Sequence, residues 1–372
     1  MKYLACADLH CSKTEEDYSL SVLDEITAIC RSEKAGGILF AGDIFDSYQD
    51  VETMRNRFSG ILEKLPENCA VYYIPGNHEE LRAAGSIAKF DFGKARLLSA
   101  KPCSIVPLDS GTELAAIPFQ KNYSAYRGWN IPPKAGKKRI ALAHGTVPGI
   151  FYMGHENSAG PKGEDLFGEE ENPPGVLDED LFSYLGADLA VVGHIHAGYK
   201  KQTENCLIVS PGSARVWREG ETGSRQALLI DTDALRTPRE IVLQAAGRYR
   251  VINMEVLPNC SLNIPEELKT GKGLSPNDWL CLNVYGVVED ESAAMEAVNK
   301  KTEELKKKYR RVTIIKEGLF VLKGISTHPL ALQFILKWKE SRGKYTEADD
   351  ESYHLAKLRG LAKLKEIVEA RK

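Results

Sequence analysis

Short apolar runs rich in β-favouring residues recur through the first part of the chain, up to about residue 235. Their length and residue types predict buried strands. The eight runs read KYLACAD, GGILFAGD, AVYYIPGN, ELAAIPF, KRIALAHG, ADLAVVGHIH, NCLIVSPGS and QALLIDT. Two amphipathic stretches between them, Leu20–Ser32 and Met54–Leu65, predict helices. Strands that alternate with helices indicate a layered α/β domain, which we place at residues 1–240.

The pattern changes near Gly247. The predicted elements beyond it are strands at Tyr249–Leu257, Trp279–Val288 and Arg311–Lys316, and a Glu- and Lys-rich helix at Ser292–Tyr309. This order indicates a smaller α+β domain at residues 248–320. Two further helices, at Pro329–Ser341 and Glu351–Ala370, form a predicted helical C-terminal segment at residues 326–372.

The composition is that of a soluble globular protein. The chain has 372 residues, of which 43% are hydrophobic and 27% charged, so we expect a sizeable core. No run approaches about 18 apolar residues, which predicts no membrane span. The N-terminus shows no signal-peptide pattern, so we expect a cytoplasmic location. The net charge of −3 neither supports nor excludes a DNA substrate.

The eight cysteines are scattered, and no CxxC pair occurs. Several of them lie inside the apolar runs, as Cys6 and Cys206 do. This distribution favours buried, reduced thiols over disulfides or a zinc knuckle.

Polar residues with metal-ligating side chains follow five of the predicted strands. Ligands of open α/β sheets bind outside the carboxyl ends of the strands, so these residues should meet. The candidate ligands are Asp8, His10, Asp43, Asn77, His144, His194 and His196, with His78 beside them. Each has an ordinary structural alternative: a surface histidine, an aspartate at a helix N-terminus or a Gly-Asn turn. The chain has only eight histidines, and their concentration in these motifs favours a site.

The residue types indicate a centre with two metal ions. Imidazole and carboxylate together suit manganese, iron or zinc better than calcium. No cysteine lies in the motifs, which argues against a structural zinc site built on thiolates. Two ions about 3.5–4 Å apart could clamp a phosphate and generate a hydroxide nucleophile. Asp43 is the best candidate for the bridge, because a carboxylate offers two oxygens.

The motifs DLH, GDIFD, GNHE, HG and GHIH resemble those of the calcineurin-like metallophosphoesterases. The resemblance implies a four-layer αββα sandwich with a dinuclear centre at one edge. It assigns Asp8, His10, Asp43 and His196 to the first metal, and Asp43, Asn77, His144 and His194 to the second. His78 matches the catalytic histidine, which stabilises or protonates the leaving oxygen. Manganese is the implied metal, with iron, zinc and magnesium as alternatives.

Within that superfamily the sequence is most similar to SbcD-type DNA repair exonucleases, through LFAGDIFD, YYIPGNHE, ADLAVVGHIHAG and SPGSARVW. The resemblance implies a DNA substrate, a DNA-capping role for the second domain, a homodimer and C-terminal helices that dock on an SbcC-type coiled-coil ATPase. Asp46 matches a position where some relatives carry a histidine that aids exonuclease action, so we treat it as an auxiliary candidate. The spelling GNHE also occurs in Ser/Thr protein phosphatases.

We therefore hold three hypotheses. The first is a metal-dependent DNA nuclease that hydrolyses phosphodiester bonds with a metal-activated hydroxide. The second is a phosphatase or phosphodiesterase acting on a small molecule, a nucleotide or a phosphoprotein. The third is a subunit whose C-terminal helices recruit an ATPase, either through an apolar face or with that face packed on its own domain. The face comprises Leu330, Phe334 and Trp338. The candidate DNA contacts are Arg82, Lys121, Arg127, Lys134, Lys137, Lys138 and the run 306–311.

Overall fold

A computed structural model describes residues 1–80, 86–134, 136–148, 175–257, 259–288, 290–321, 328–344 and 350–369. The chain divides into two compact units, Met1–Arg248 and Tyr249–Lys372. The roles assigned to the predicted domains, and a separate C-terminal segment from residue 326, stay predictions.

The first unit is built from short strands and a few helices. Its strands are β1 Lys2–Cys6, β2 Gly37–Ala41, β3 Ala70–Ile74, β4 Ala95–Leu97, β5 Ser104–Pro107, β6 Thr112–Ile117, β7 Lys138–His144, β8 Leu189–Gly193, β9 Tyr199–Gln202, β10 Leu207–Ser210, β11 Gln226–Asp231 and β12 Arg239–Val242. Its α-helices are α1 Glu16–Ser32, α2 Tyr48–Leu62, α3 Asn77–Glu80 and α4 Glu179–Tyr184. Each of the eight predicted apolar runs contains one strand, and both predicted helices overlap a helix.

Two six-stranded sheets pack face to face in this unit. Their strand orders are β12-β11-β1-β2-β3-β4 and β5-β6-β7-β8-β10-β9. Side chains of both sheets meet in one buried core, as Leu39 of β2 and Leu142 of β7 do. Helices α1 and α2 pack on the outer face of the first sheet, and α4 packs on the outer face of the second. The predicted αββα sandwich is confirmed.

The second unit has one sheet with helices packed on it. Its elements are β13 Tyr249–Val256, β14 Leu262–Asn263, α5 Glu266–Thr270, β15 Trp279–Val288, α6 Glu291–Lys306, β16 Arg311–Val321, α7 Pro329–Ser341 and α8 Asp350–Glu369. The strand order is β14-β13-β15-β16. Leu282 of β15 and Val298 of α6 share one core, while Val287 of β15 packs with Ala331 of α7 and Leu361 of α8. Alternate side chains of β15 thus serve both faces of the sheet.

All eight cysteines are free thiols, and most of them are buried, as the sequence predicts. Within the described ranges, no helix combines the length and the apolar character needed to cross a membrane.

Candidate metal centre

The predicted ligands follow the carboxyl ends of parallel strands. β1, β2 and β3 are parallel neighbours in one sheet, and β7 and β8 are parallel neighbours in the other. The residues that follow these strands, or close them, are Asp8, His10, Asp43, Asn77, His144, His194 and His196. The structure brings all seven side chains together at one edge of the sandwich. Their action as ligands stays a proposal.

The backbone of the centre is strained. The φ angle is +50° at Asp8, +44° at His10, +49° at Asp43 and +95° at His194. Each such left-handed conformation costs a non-glycine residue roughly 1–3 kcal/mol. Four of them in one site indicate that the surrounding fold holds these side chains in place for a function.

Two glycines allow the loops to approach one another. Gly42 has φ +87°, and a Cβ added to it would lie 2.2 Å from Nδ1 of His144. A Cβ added to Gly76 would lie 2.1 Å from a carboxylate oxygen of Asp43. Larger residues at these two positions would displace candidate ligands, so glycine is a geometric requirement of the centre.

One cluster joins Asp8, His10 and His196. One candidate ligand atom from each lies within 4.8 Å of the other two. The Nε2 atoms of His10 and His196 face each other at 3.1 Å. The backbone N–H of His194 lies 3.0 Å from both oxygens of Asp8 and holds that carboxylate. Two imidazole lone pairs at this separation repel one another unless a proton or a cation lies between them, so the cluster suits a cation.

A second cluster joins Asp43, His144 and His194, again with candidate ligand atoms within 4.8 Å. Oδ1 of Asn77 lies 3.0 Å from Nε2 of His144 and 2.8 Å from Nδ1 of His194. Oδ2 of Asp43 lies 3.3 Å from Nε2 of His144. These four side chains are those the family resemblance assigns to the second metal. A bridging role for Asp43 stays a prediction.

A third cluster joins His10, Asp46 and His78. Oδ1 of Asp46 lies 3.3 Å from Nδ1 of His10 and 3.7 Å from Nδ1 of His78. The backbone N–H of His78 donates to Oδ1 of Asp43 at 2.9 Å. The predicted catalytic histidine and the auxiliary aspartate therefore adjoin both candidate metal clusters.

Hydrogen bonds orient several of the imidazole rings. Nδ1 of His144 lies 2.8 Å from the carbonyl oxygen of Ala41, and Nδ1 of His196 lies 2.5 Å from Oε1 of Glu221. A carbonyl or carboxylate oxygen only accepts, so each Nδ1 carries a hydrogen and Nε2 is the nitrogen that turns toward the candidate metal cluster. This arrangement fixes the ring and raises its basicity toward a metal.

Burial and neighbouring charges set the protonation of the centre. Burial raises the pKa of Asp8 to about 6, and burial lowers the pKa of His194 to about 3. Burial also holds the pKa of His10 well below its usual value. Burial opposes charge on Asp43 and His144, but their mutual attraction outweighs it. The pKa of Asp43 therefore falls, and that of His144 rises to about 9. His10 and His194 are thus neutral, as metal ligands must be.

Glu79 connects two of the ligand loops. Its carboxylate accepts hydrogen bonds from the backbone N–H groups of Asp43, Phe45 and Gly76 and from the hydroxyl of Tyr73. It is fully buried. The sequence identifies Glu79 only as part of the GNHE spelling, because its partners are defined by the folded loops.

Sequence reasoning also missed three residues of the segment after the Pro-Gly-Ser motif. The ring of Trp217 stacks on that of His10, with centroids 4.2 Å apart and planes at 11°. The guanidinium of Arg218 lies 4.1 Å from the centroid of Trp217, and Glu221 holds His196. The segment follows the GHIH motif by some twenty residues and has no spacing that marks it. Its contacts with the centre are visible only in the folded structure.

The donor set fits two divalent cations. It combines carboxylate, imidazole and amide groups in buried clusters. Two of the imidazole nitrogens face one another, and four of the candidate ligand residues have a left-handed backbone conformation. Nδ1 of His10 and Oδ1 of Asp46 are also buried without a well-formed hydrogen bond. Oxygen and nitrogen donors of this kind suit manganese, iron, zinc or magnesium.

The profile of one protein family, calcineurin-like phosphoesterase, matches residues 1–198. Because this match spans more than half of the chain, the protein belongs to the calcineurin-like phosphoesterase family. It is accordingly a hydrolase of phosphoester bonds, with candidate metal clusters at the expected sheet edge. No curated protein matches the chain.

Several solved structures match the chain at low identity. An archaeal phosphodiesterase is 16% identical, with 65% of this chain and 100% of that chain covered and a TM-score of 0.33. A Thermus thermophilus protein is 14% identical, with 65% and 99% covered and a TM-score of 0.38. A dimetal phosphatase from Danio rerio is 10% identical, with 62% and 91% covered and a TM-score of 0.37. Since all three TM-scores lie below 0.5, the family assignment rests on the profile match.

Proposed function

We propose that this phosphoesterase is a DNA repair nuclease of the SbcD type that hydrolyses the phosphodiester bonds of DNA with two divalent metal ions, normally manganese. The observation that carries the proposal is the set of SbcD-like segments around the candidate centre, from LFAGDIFD to SPGSARVW, on a chain that adds a second compact unit. A site for a small phosphoester needs no such unit.

The side chains of the centre have separate tasks. When bound, divalent ions polarise phosphoryl oxygens and supply a nucleophile at neutral pH. We assign to His78 the role of stabilising or protonating the leaving oxygen. Nδ1 of His78 lies 2.8 Å from the carbonyl oxygen of Asp46, so that nitrogen carries a hydrogen and Nε2 is the one available to a substrate. With 24% of its side chain exposed, His78 is accessible from solvent, whereas His10 and His144 are not.

DNA needs cationic side chains that are free to meet its phosphates. Among the candidates, Lys134 pairs with Asp188 at 2.6 Å, and Arg127 pairs with Asp180 at 3.3 Å. Lys121 has no side-chain partner within the described ranges, and its side chain is exposed.

The other candidate DNA contacts also include side chains that have a partner within the protein and side chains that have none among the described residues. Nζ of Lys138 donates to the carbonyl oxygen of Thr232 at 2.6 Å, and the guanidinium of Arg311 lies 4.0 Å from the ring of Trp279. Lys137 is without a side-chain partner among the residues that the structure describes, and Arg82 lies outside them. We therefore place the first phosphate contacts at Lys121 and Lys137.

The proposal is tested by cleavage of a linear, end-labelled DNA duplex and of a chromogenic phosphodiester, with manganese added or chelated. We expect manganese-dependent shortening of the DNA. Hydrolysis of the small diester with intact DNA would contradict the nuclease proposal and favour a phosphatase or phosphodiesterase of small molecules.

The same assay tests His78. Replacing His78 by alanine removes the side chain that stabilises or protonates the leaving oxygen, and should lower the cleavage rate by about 10²–10⁴-fold while manganese binding is kept. His328→Ala, a histidine of the second unit, is the control and should leave the rate unchanged. Cleavage by His78→Ala at the wild-type rate would show that the assignment is wrong.

The proposal includes an SbcC-type coiled-coil ATPase as partner, with α7 as the docking element. The predicted apolar face divides in the structure. Phe334 packs on the core beneath α7 and α8, and the ring of Trp338 contacts those of Phe334 and Tyr353, with centroids 5.5 and 4.9 Å away. Leu330, Leu332 and Leu336 stay exposed. Leu332 and Leu336 are four residues apart and share one face of α7, so the proposed docking surface shifts to these two leucines. A homodimer and a cytoplasmic location stay expectations of the sequence.

Substitution of Leu332 and Leu336 by glutamate should abolish co-purification with an SbcC-type partner, because both side chains are exposed and their replacement leaves the core intact. Lys337→Glu, a charge change next to Leu336, serves as the control. Unchanged co-purification of the double variant would remove α7 from the interface.

A further inference from the structure

Among the residues that the structure describes, three arginines lie around the candidate centre, and two of them support the loops. The buried guanidinium of Arg215 donates to the carbonyl oxygens of Leu9 and His10 and pairs with Glu15. The guanidinium of Arg225 donates to the carbonyl oxygens of His196, Glu221 and Thr222. Both arginines therefore serve the scaffold and have little capacity left for a ligand.

Arg218 is different. Its side chain is exposed, and across the described ranges no hydrogen bond or ion pair of its guanidinium is found. The guanidinium rests instead on the ring of Trp217, 4.1 Å from the centroid. His10 stacks on the same ring at 4.2 Å, and two groups at this distance cannot occupy one face. Arg218 therefore covers the face of Trp217 that His10 leaves open.

The segment that carries Arg218 is held at the neighbouring Trp217. The backbone N–H of Trp217 donates to Oε2 of Glu221 at 2.7 Å, and Oε1 of the same carboxylate holds His196. The segment that carries Arg218 is thus tied to two candidate ligands, through the His10 stack and through Glu221. A guanidinium so placed loses little conformational freedom when it binds a ligand.

The charges nearby indicate what such a ligand would be. The carboxylates that act electrostatically on Arg218 are those of Glu221, Asp46, Asp43 and Asp8. Glu221 is engaged by His196 and by the backbone of Trp217. Asp8 and Asp43 belong to the candidate metal clusters, and Asp46 lies beside His10 and His78. Cations on Asp8 and Asp43 would leave more of the positive charge of Arg218 unmatched, so an anion belongs beside it.

We propose that Arg218, held on the Trp217 ring, is a phosphate-binding group of the centre and takes the non-bridging oxygens of a substrate phosphate. This inference rests on the proposed hydrolysis of phosphodiesters at the same site. Guanidinium suits the role because its planar fork binds two phosphate oxygens at once. Arg218 touches substrate in this account and does not ligate a metal.

The test is titration of the full-length, manganese-loaded protein with inorganic phosphate by calorimetry. Arg218→Ala should bind phosphate about tenfold or more weakly than wild type, because a hydrogen bond to a charged group is lost. The phosphate affinity of Arg218→Lys should lie between those of wild type and Arg218→Ala, since lysine keeps the charge but lacks the planar guanidinium. Arg236→Ala removes another exposed arginine of the same unit and should bind as wild type does. With the chromogenic phosphodiester, Arg218→Ala should raise KM more than it lowers kcat.

Manganese stoichiometry and the melting temperature are measured for every variant. Weaker phosphate binding with unchanged manganese content supports the proposal. Unchanged phosphate binding by Arg218→Ala overturns it, and so does loss of manganese, which would make Arg218 a structural support of the clusters. Because the phosphate titration needs no turnover, it decides the role of Arg218 even if the wild type cleaves no DNA.

Discussion

At the scale of single residues, the centre depends on side chains that the sequence motifs name and on others that they do not. Asp8, Asp43 and the motif histidines could be predicted because their residue types follow successive strands. Glu79 and Trp217 could not, because their partners lie on other loops. Motifs identify the candidate ligand atoms, whereas the groups that hold those atoms are set by the folded chain.

Glu79→Gln tests the role of the buried carboxylate. The NH₂ group of the glutamine would face backbone N–H groups that the carboxylate now accepts from, so these donors would lose their acceptor. We expect the loss to cost about 1–3 kcal/mol of stability. We expect the free energy of unfolding in urea to fall by this amount. Glu80→Gln, next in the chain, loses only a partly exposed ion pair with Lys101 and should change it by less than about 1 kcal/mol. Equal stability of Glu79→Gln and wild type would contradict the structural role.

The raised pKa of His144 predicts a pH dependence of metal affinity. Asp43 raises this pKa to about 9 in the protein alone, so near neutral pH a metal must displace a proton from His144. The apparent affinity for manganese should therefore fall as pH decreases from 9 to 7, by at most tenfold per pH unit. Calorimetry at pH 7 and pH 9 checks the direction. Equal affinity at both values would exclude proton displacement.

At the scale of elements, burial decides what the sequence can predict. All eight apolar runs overlap a strand of the structure, and each of these strands is paired within a sheet. The four strands of the first unit that the pattern missed, β4, β5, β9 and β12, are the four sheet edges. Edge strands here are short and partly exposed, as the alternating exposure of β9 shows, and carry no continuous apolar signal.

Gly42→Ala tests the close approach of the β2 loop to β7. The new Cβ would lie 2.2 Å from Nδ1 of His144, so we expect manganese affinity to drop by tenfold or more. Gly136→Ala is the matched control, since Gly136 also has a positive φ, +79°, but a Cβ there meets no atom within 4 Å. Gly136→Ala should lower the stability of the protein and leave its manganese affinity unchanged. Equal manganese affinity in Gly42→Ala and Gly136→Ala would contradict this prediction, because it would show that the contact between the new Cβ and His144 does not disturb the centre.

At the scale of the whole molecule, the two units have their own cores. Each buried hydrophobic cluster among the described residues is made of side chains from one unit. A chain ended after Arg248 should therefore fold cooperatively and bind manganese. Circular dichroism during thermal melting and metal analysis check this. A chain without a cooperative transition would show that the first unit needs the second.

The claim on which the rest depends is that seven side chains from five strand ends hold two metal ions. Anomalous diffraction at the manganese edge, from crystals grown with manganese, measures this directly. We predict two peaks roughly 3.5–4 Å apart. One should adjoin Asp8, His10 and His196, and the other Asn77, His144 and His194, with Asp43 between them. A single peak, or peaks away from these side chains, would contradict the account.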